Sequence, residues 1–339
     1  MDGLVLDRLY LARKAKLRYV TDDEPGIIRR RRGRGFSYAH EGGEAANAAE
    51  RGRIEALVIP PAWQDLWICR HPEGHLQATG RDAAGRKQYL YHSQWELVRD
   101  EVKFDRMAGF GHELPTLRTR LTADLRQRRM GHAKVVALAV AVLDRTLIRV
   151  GNHRYATDNG SFGLTTMKGE HVDISGREVL FSFQSKGGAS HEVLLDDTRL
   201  SGLLKQCQEL DGQTLFAYVD EGGEVASVTS EDVNSYLRAH MGEFTAKDFR
   251  TWGASAHLTG FLGGLKAGQS TQRQVILDAI DSAAEALGNS RAVCRDSYIH
   301  PQVLADFESG LLGATWSRTR TGRRMARAER VLARLFGGP

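Results

Sequence analysis

Cysteine is scarce in this chain: three among 339 residues, Cys69, Cys207 and Cys294, all far apart. That number at those spacings builds no disulfide framework, so a reducing, cytoplasmic setting is expected. No run approaches the roughly 18 apolar residues of a membrane span, and the N-terminus lacks a signal-peptide pattern. Neither a membrane partner nor secretion is expected. Glycine is nowhere followed by lysine, which excludes a phosphate loop of the nucleotide-hydrolase kind, and nothing points to ATP use. Cys69, His71 and His75 have spacings that suit zinc. No second ligand cluster lies nearby, however, and Pro72-Glu73-Gly74 reads as a hairpin turn, so no metal is assigned. Internal repeats and long low-complexity linkers are absent.

What is present is an ordinary globular composition, 41% hydrophobic and 26% charged, with length for about two domains. The net charge is only +5, but it is unevenly placed. Five arginines fall in the six residues from Arg29 to Arg34, and six basic residues from Arg118 to Lys134 face the single acid Asp124. From Trp316 onward seven arginines are opposed only by Glu329. Three such runs, with a pI near 9.1, point to nucleic acid. Phosphate neutralisation predicts affinity and salt dependence but reads no sequence.

Residues 1–95 read as short strands broken by glycine, proline and aspartate. The turn from Gly80 to Arg86 leads into Lys87-Gln88-Tyr89-Leu90-Tyr91, where Tyr89 and Tyr91 share one face of a strand. Beside Arg86, Lys87 and Gln88 these rings suit stacking on bases and hydrogen bonding to phosphates. From about residue 95 the pattern turns helical. Apolar residues over 134–150 predict a buried helix ending at Arg149-Val150-Gly151. A strand block follows: runs over 162–167 and 171–174, then two strands over 179–183 and 191–195 joined by a Gly-rich hairpin that carries Lys186 at its tip. Further on, Thr229 with Asp232, and Thr245 with Asp248, match the capping box that opens a helix. The second of these helices puts Arg250 in its first turns, where a cation does little for stability and can bind phosphate. Near the end, Gly288 suits a helix C-terminus, Ser290 an N-cap, and Tyr298 lies on a second short helix.

Arg149, Lys186, Arg250, Asn289 and Tyr298 together suit phosphodiester cleavage by a side-chain oxygen. Such a reaction builds negative charge on the non-bridging oxygens, and guanidinium groups meet it with fixed, paired donors. The leaving alkoxide takes a proton, which a lysine on a mobile hairpin can give. Asn289 donates a hydrogen bond but cannot shuttle a proton. A phenol whose ordinary pKa is near 10 needs neighbouring cations to attack as phenolate.

This set resembles the type IB DNA topoisomerases, specifically the small poxvirus-like branch found in bacteria. Leu147-Ile148-Arg149-Val150-Gly151 with Tyr155 resembles the segment of the first catalytic arginine, and residues 161–166 are similar to the strand that follows it. Phe183-Gln184-Ser185-Lys186, then Ser190-His191-Glu192, resembles the catalytic lysine's hairpin. Lys247-Asp248-Phe249-Arg250-Thr251-Trp252-Gly253 resembles the second arginine box. Asn289, nine residues before Tyr298, resembles the His/Asn position and its nucleophile. Residues 80–91 resemble a DNA-contacting strand. The likeness runs over residues 20–325. One departure stands out: Asn289 occupies a place where the viral enzymes and most tyrosine recombinases have histidine.

The resemblance implies an α+β chain. A β-rich DNA-clamp lobe over residues 1–95 is followed by a mainly helical catalytic domain over 96–339, with a small three-stranded antiparallel sheet and a basic C-terminal tail. It further implies relaxation of supercoiled duplex DNA by a monomer in the cytoplasm, on the nucleoid, through a 3′-phosphotyrosyl intermediate. Neither cofactor, ATP nor essential metal is implied. Catalysis falls to Tyr298, Arg149, Lys186, Arg250 and Asn289, and DNA contacts to Arg86, Lys87, Gln88, Tyr89, Tyr91, Asn152, Arg154 and Tyr155. A tyrosine recombinase is the alternative. It is disfavoured because recombinases usually carry a helical domain where this chain has strands. A non-catalytic DNA-binding protein is the second alternative, but it has no need of all five groups together.

Overall fold

Alternating apolar and polar residues over the first third of the chain pair into a sheet. The computed structural model describes residues 2–151, 160–210, 212–265 and 272–337, with side chains from residue 8 onward. The fold is α+β and divides into two units, Met1–Asp105 and Arg106–Pro339.

The first unit holds α1 (Asp2–Lys14), β1 (Ile27–Arg32), β2 (Gly35–His40), α2 (Ala48–Ala56), β3 (Gln64–Ile68), β4 (Leu76–Arg81), β5 (Lys87–Tyr91) and α3 (Ser93–Asp105). Its five strands form an antiparallel sheet in the order β2-β1-β3-β4-β5. Ile27, Ile68 and Ala78 bury one face of that sheet with Ile54 of α2. The helices α1, α2 and α3 lie outside the strand reading of this region. Asn47 and Glu50 close a reciprocal capping box that starts α2, a start signal visible in the sequence. His75 is buried between the rings of Tyr19 and Trp95, at 4.6 and 4.4 Å, and its Nδ1 accepts the Val20 N–H. Arg29, the first of the arginine run, donates to the carbonyls of Pro60, Pro61 and Trp63 and covers the Phe36 ring. It therefore fastens a loop, while Arg30, Arg31, Arg32 and Arg34 stay exposed.

The second unit begins with α4 (Met107–Asp124) and α5 (His132–Thr146). Every residue of α5 from Val135 to Leu143 is buried, as expected of a helix that is apolar all round. The expected helix end needs correction. Leu147 takes a left-handed conformation, φ 56°, and stops α5 at Thr146, so Arg149 lies beyond the helix. The run over 162–167 is likewise not a strand. It contains a 3-10 turn, Leu164–Thr166, whose first amides donate to the Arg149 and Val150 carbonyls. The three-stranded antiparallel sheet is present as β6 (Val172–Ser175), β7 (Glu178–Gln184) and β8 (Ser190–Asp196).

Beyond it come α6 (Thr198–Gln208), a two-stranded ribbon of β9 (Ala217–Val219) and β10 (Val225–Ser227), and α7 (Ser230–Met241). Helix α8 (Ala246–Gly263) follows, its N-terminus held by Asp248, whose carboxylate accepts from the Thr245 N–H and hydroxyl. The chain ends in α9 (Gln272–Leu287), α10 (Arg291–Ser297), α11 (Pro301–Glu308), α12 (Leu311–Arg318) and α13 (Arg327–Leu335). The arginine-rich end is thus folded: Val331 and Leu332 of α13 are fully buried, and Arg327 covers the Trp316 ring. Arg118 of α4 pairs with Asp144 of α5 and Glu329 of α13 at 2.8 and 2.7 Å, fastening three helices at one point. Among the described residues no helix is long and apolar enough to cross a membrane.

Candidate active site

Helix α8 is the element the site is built on. Arg250 lies in its second turn and is only 4% exposed. Its guanidinium donates through Nη1 to the Leu147 carbonyl and through Nη2 to the Leu287 carbonyl, the latter at 2.8 Å. The residue that follows α5 and the last residue of α9 are thereby fixed to one side chain. Leu147 makes a second contact with α8. A Cβ on Gly253 would come 2.3 Å from Leu147 Cδ1, so the leucine seats where α8 has no side chain.

Arg149, two residues past Leu147, reaches Asn289 by donating from Nη2 to Oδ1 at 2.5 Å. The Asn289 backbone is set by the end of α9. Gly288 takes φ +59°, and the Asn289 N–H returns to the Ala284 carbonyl at 2.9 Å, a left-handed helix ending that glycine adopts without strain. Arginine only donates, so the asparagine oxygen must face Arg149 and its Nδ2 faces away. That amide nitrogen is buried and, among the described residues, has no partner. A buried donor left unpaired costs about 1–3 kcal/mol unless an acceptor arrives.

Ser290 caps α10 by accepting the Val293 N–H, and Tyr298 closes that helix with its N–H on the Cys294 carbonyl at 3.0 Å. The phenol is half-buried, with the Arg250 guanidinium 5.0 Å from its ring centre. Burial pushes the phenol up; the charges of Arg250 and Arg149, with hydrogen bonds from both, outweigh it and hold Tyr298 below the ordinary phenol range. Arg250 is itself depressed, by burial first and by Arg149's like charge next. A buried cation and a half-buried one beside a phenol make a ready place for an anion.

Lys186 is exposed on the β7–β8 hairpin, at whose tip Gly187 and Gly188 both have positive φ. Among the described residues, the contacts that join Arg149, Arg250, Asn289 and Tyr298 do not include its ammonium. Two residues not singled out from the sequence also belong here. Ser255 of α8, fully buried, donates to the Tyr298 carbonyl at 3.3 Å and accepts the His300 N–H at 2.9 Å. His191 of β8 lies against Gly288. Ser255 follows Arg250 by five positions, a spacing that places the two on different helix faces and gave no signal.

In the first unit, Arg86, Lys87, Gln88, Tyr89 and Tyr91 lie on or beside β5. Tyr89 and Tyr91 share a face, as expected, with rings 6.1 Å apart and nearly parallel. Asp82 accepts from Arg86 Nε and Gln88 Nε2, each at 2.8 Å, and Lys87 pairs with Asp22. These side chains are held in place while Tyr89 remains 47% exposed. Tyr91 turns toward Trp95 and His75, and burial raises its phenol. Asn152, Arg154 and Tyr155 lie outside the described residues.

Comparison with known proteins places the chain in a family. The family described as eukaryotic DNA topoisomerase I, catalytic core, matches residues 92–324, and the bacterial DNA topoisomerase IB N-terminal domain matches residues 35–82. The DNA topoisomerase 1B of Acanthamoeba polyphaga mimivirus is 32% identical over 289 residues, covering 81% of this chain and 85% of its own. The DNA topoisomerase I of Monkeypox virus and the DNA topoisomerase 1B of Vaccinia virus (strain Copenhagen) are each 25% identical over 258 residues, 74% of this chain and 76% of theirs. With a core match across more than half its length and a relative of that identity, the chain belongs to the type IB DNA topoisomerases, enzymes that act on DNA.

Proposed function

We propose that this protein relaxes supercoiled duplex DNA by transient cleavage of one strand, with Tyr298 as the nucleophile. The Tyr298 Oη attacks a DNA phosphate, a P–O bond to the phenol forms, and the bond to the 5′-oxygen breaks. The product is a 3′-phosphotyrosyl link and a free 5′-hydroxyl. Arg149 and Arg250 meet the charge that grows on the non-bridging oxygens, and the unpaired Nδ2 of Asn289 donates to one of them. Lys186, together with Arg149, protonates the departing 5′-oxygen. The cut strand swivels about the intact one, and the 5′-hydroxyl then reverses the attack. One phosphodiester replaces another, so ATP is not consumed and the side chains named carry the charge without an essential metal.

The observation that carries this reading is the convergence of Arg149, Arg250 and Asn289 on a half-buried phenol held below its ordinary range. Residues 1–95 serve as a DNA-clamp lobe, and residues 96–339 as the catalytic domain with its basic C-terminal region. Duplex contacts come from Arg86, Lys87, Gln88, Tyr89 and Tyr91 and from Asn152, Arg154 and Tyr155. The enzyme acts as a monomer in the cytoplasm, on the nucleoid.

The test is relaxation of positively and negatively supercoiled plasmid in EDTA without ATP, with denaturing capture of covalent adducts. Ladders of intermediate topoisomers are expected from the unaltered protein. Tyr298→Phe is expected to bind DNA and give neither adduct nor relaxation. Full relaxation by that variant removes Tyr298 from the mechanism.

A further inference from the structure

His191 is 9% exposed, and its ring meets the Phe183 ring edge-on with centres 5.6 Å apart. Its other side presses on Gly288: a Cβ there would fall 2.7 Å from His191 Nδ1 and 2.8 Å from Cε1. Such distances leave room for hydrogen only, so the imidazole rests directly on the backbone that carries Asn289. Phe183 and His191 are paired across β7 and β8, and the ladder closes one rung further on, at Gln184 and Ser190. The turn beyond is tight, with the Ser185 N–H on the Ala189 carbonyl at 2.8 Å. Lys186 follows Phe183 by three residues, roughly 10 Å at 3.3 Å per residue. A small rotation at the base of this hairpin therefore becomes a larger displacement at its tip. Gln184 holds the other edge, its carbonyl accepting the Phe162 N–H at 2.8 Å. On the side facing Asn289, the imidazole is the wedge.

We infer that His191 is a positioning residue for cleavage: its ring seats the base of the β7–β8 hairpin against Gly288 and so sets where Lys186 stands relative to the phosphate held by Asn289. The inference rests on the reading of Lys186 as the acid that protonates the 5′-oxygen. Burial, then the charges of Arg250 and Arg149, hold the imidazole below its ordinary range, which fits a neutral wedge rather than a third cation. Among the described residues its ring nitrogens have no hydrogen-bond partner, so shape carries the role. His191→Phe, which keeps a ring, should preserve what His191→Ala loses.

The experiment is single-turnover cleavage of a duplex with one scissile phosphate, prepared with oxygen or with sulfur at the bridging 5′ position. When the bond to oxygen breaks, the alkoxide takes a proton from Lys186. When the bond to sulfur breaks, the thiolate leaves without one. At saturating DNA, His191→Ala is expected to slow cleavage of the oxygen substrate on the order of 10²-fold, as misplacement by about 1 Å can. On the sulfur substrate His191→Ala and Lys186→Ala should both return to within about threefold of the unaltered protein, and His191→Phe should be near normal on both. Recovery of Lys186→Ala but not of His191→Ala on sulfur overturns the inference and leaves the reading of Lys186 standing. Failure of Lys186→Ala to recover overturns both. Normal cleavage of the oxygen substrate by His191→Ala overturns the inference as well. If the alanine variant does not fold, His191→Asn, a smaller truncation, is read in the same way.

Discussion

Replacing Arg250 by alanine tests the site at its centre, because the one guanidinium has structural and chemical duties that leave separate traces. Its two backbone bonds, to the Leu147 and Leu287 carbonyls, hold the segments bearing Arg149 and Asn289. Each buried acceptor left without a partner costs about 1–3 kcal/mol. Loss of the unfavourable approach to Arg149 offsets part of this. A net loss of about 2 kcal/mol is expected, or roughly 4–8 °C in the melting temperature for a unit of this size. The chemical loss is larger: one donor to a transition-state oxyanion is worth about 2.7–4 kcal/mol, a factor of 10²–10³ in rate. Arg250→Lys keeps the charge, but a single ammonium cannot span two carbonyls and a phosphate, so it should fall between. The assay is single-turnover formation of the covalent adduct at saturating DNA, beside a thermal melt and a binding isotherm. The expected pattern is a rate loss of 10²-fold or more, a modest melting shift and nearly unchanged affinity. A cleavage rate within threefold of the unaltered protein would refute the phosphate-binding role, whatever the melt shows.

The same geometry makes further predictions. Asn289→His should retain covalent cleavage, because the position needs only a donor. Asn289→Asp should lose about 10²-fold, since a carboxylate would pair with Arg149 and face the phosphate with like charge; equal rates for the two would contradict the donor assignment. The rise of cleavage rate with pH is expected to follow ionisation of Tyr298, and without Arg250 the phenol moves up. The alkaline limb of the Arg250→Lys profile should therefore lie closer to the parent's than that of Arg250→Ala; superimposed profiles would dissociate Arg250 from the phenol. Arg118→Ala leaves the largely buried Asp144 and Glu329 without their counter-ion, which should cost about 3–5 kcal/mol, read as a melting shift on the order of 10 °C. His75 is pushed down to about 4 by burial, whereas the unfolded chain binds that proton near 6.5. Its contribution is complete above about pH 6.5 and is lost as pH falls toward 4, about 3 kcal/mol in all. His75→Gln should flatten the acid side of the stability profile, followed by Trp95 fluorescence.

Much of this was legible in the sequence because local chemistry decided it. The capping pairs Thr229–Asp232 and Thr245–Asp248, the turn at Gly288, the cap at Ser290 and the Lys186 hairpin all follow from residue types that satisfy helix ends or permit turns. What failed was decided at a distance. Leucine seldom adopts the left-handed conformation, and Leu147 does so here while its side chain fills the space above Gly253 and its carbonyl meets Arg250. No neighbour in sequence announces that. The run over 162–167 has an apolar pattern short enough for several conformations, and it is fixed by the Arg149 and Val150 carbonyls. The arginine-rich end reads as a basic tail by composition, but Val331, Leu332 and Leu335 follow a helical period and are buried. The contacts made by Ser255 and His191 exist only once α8, β8 and the end of α9 have come together.

The seating of Leu147 above Gly253 has a consequence for how such enzymes can drift. The span between the two arginines, a hundred residues apart along the chain, is set by one inverted backbone and one missing methyl. A larger residue at 253 has nowhere to go unless position 147 shrinks, and a smaller one at 147 leaves a hole against α8 next to the segment that carries Arg149. Relatives that change one of these positions should therefore be found to have changed the other, and pairs that drift singly should be poor nickases with sound DNA affinity.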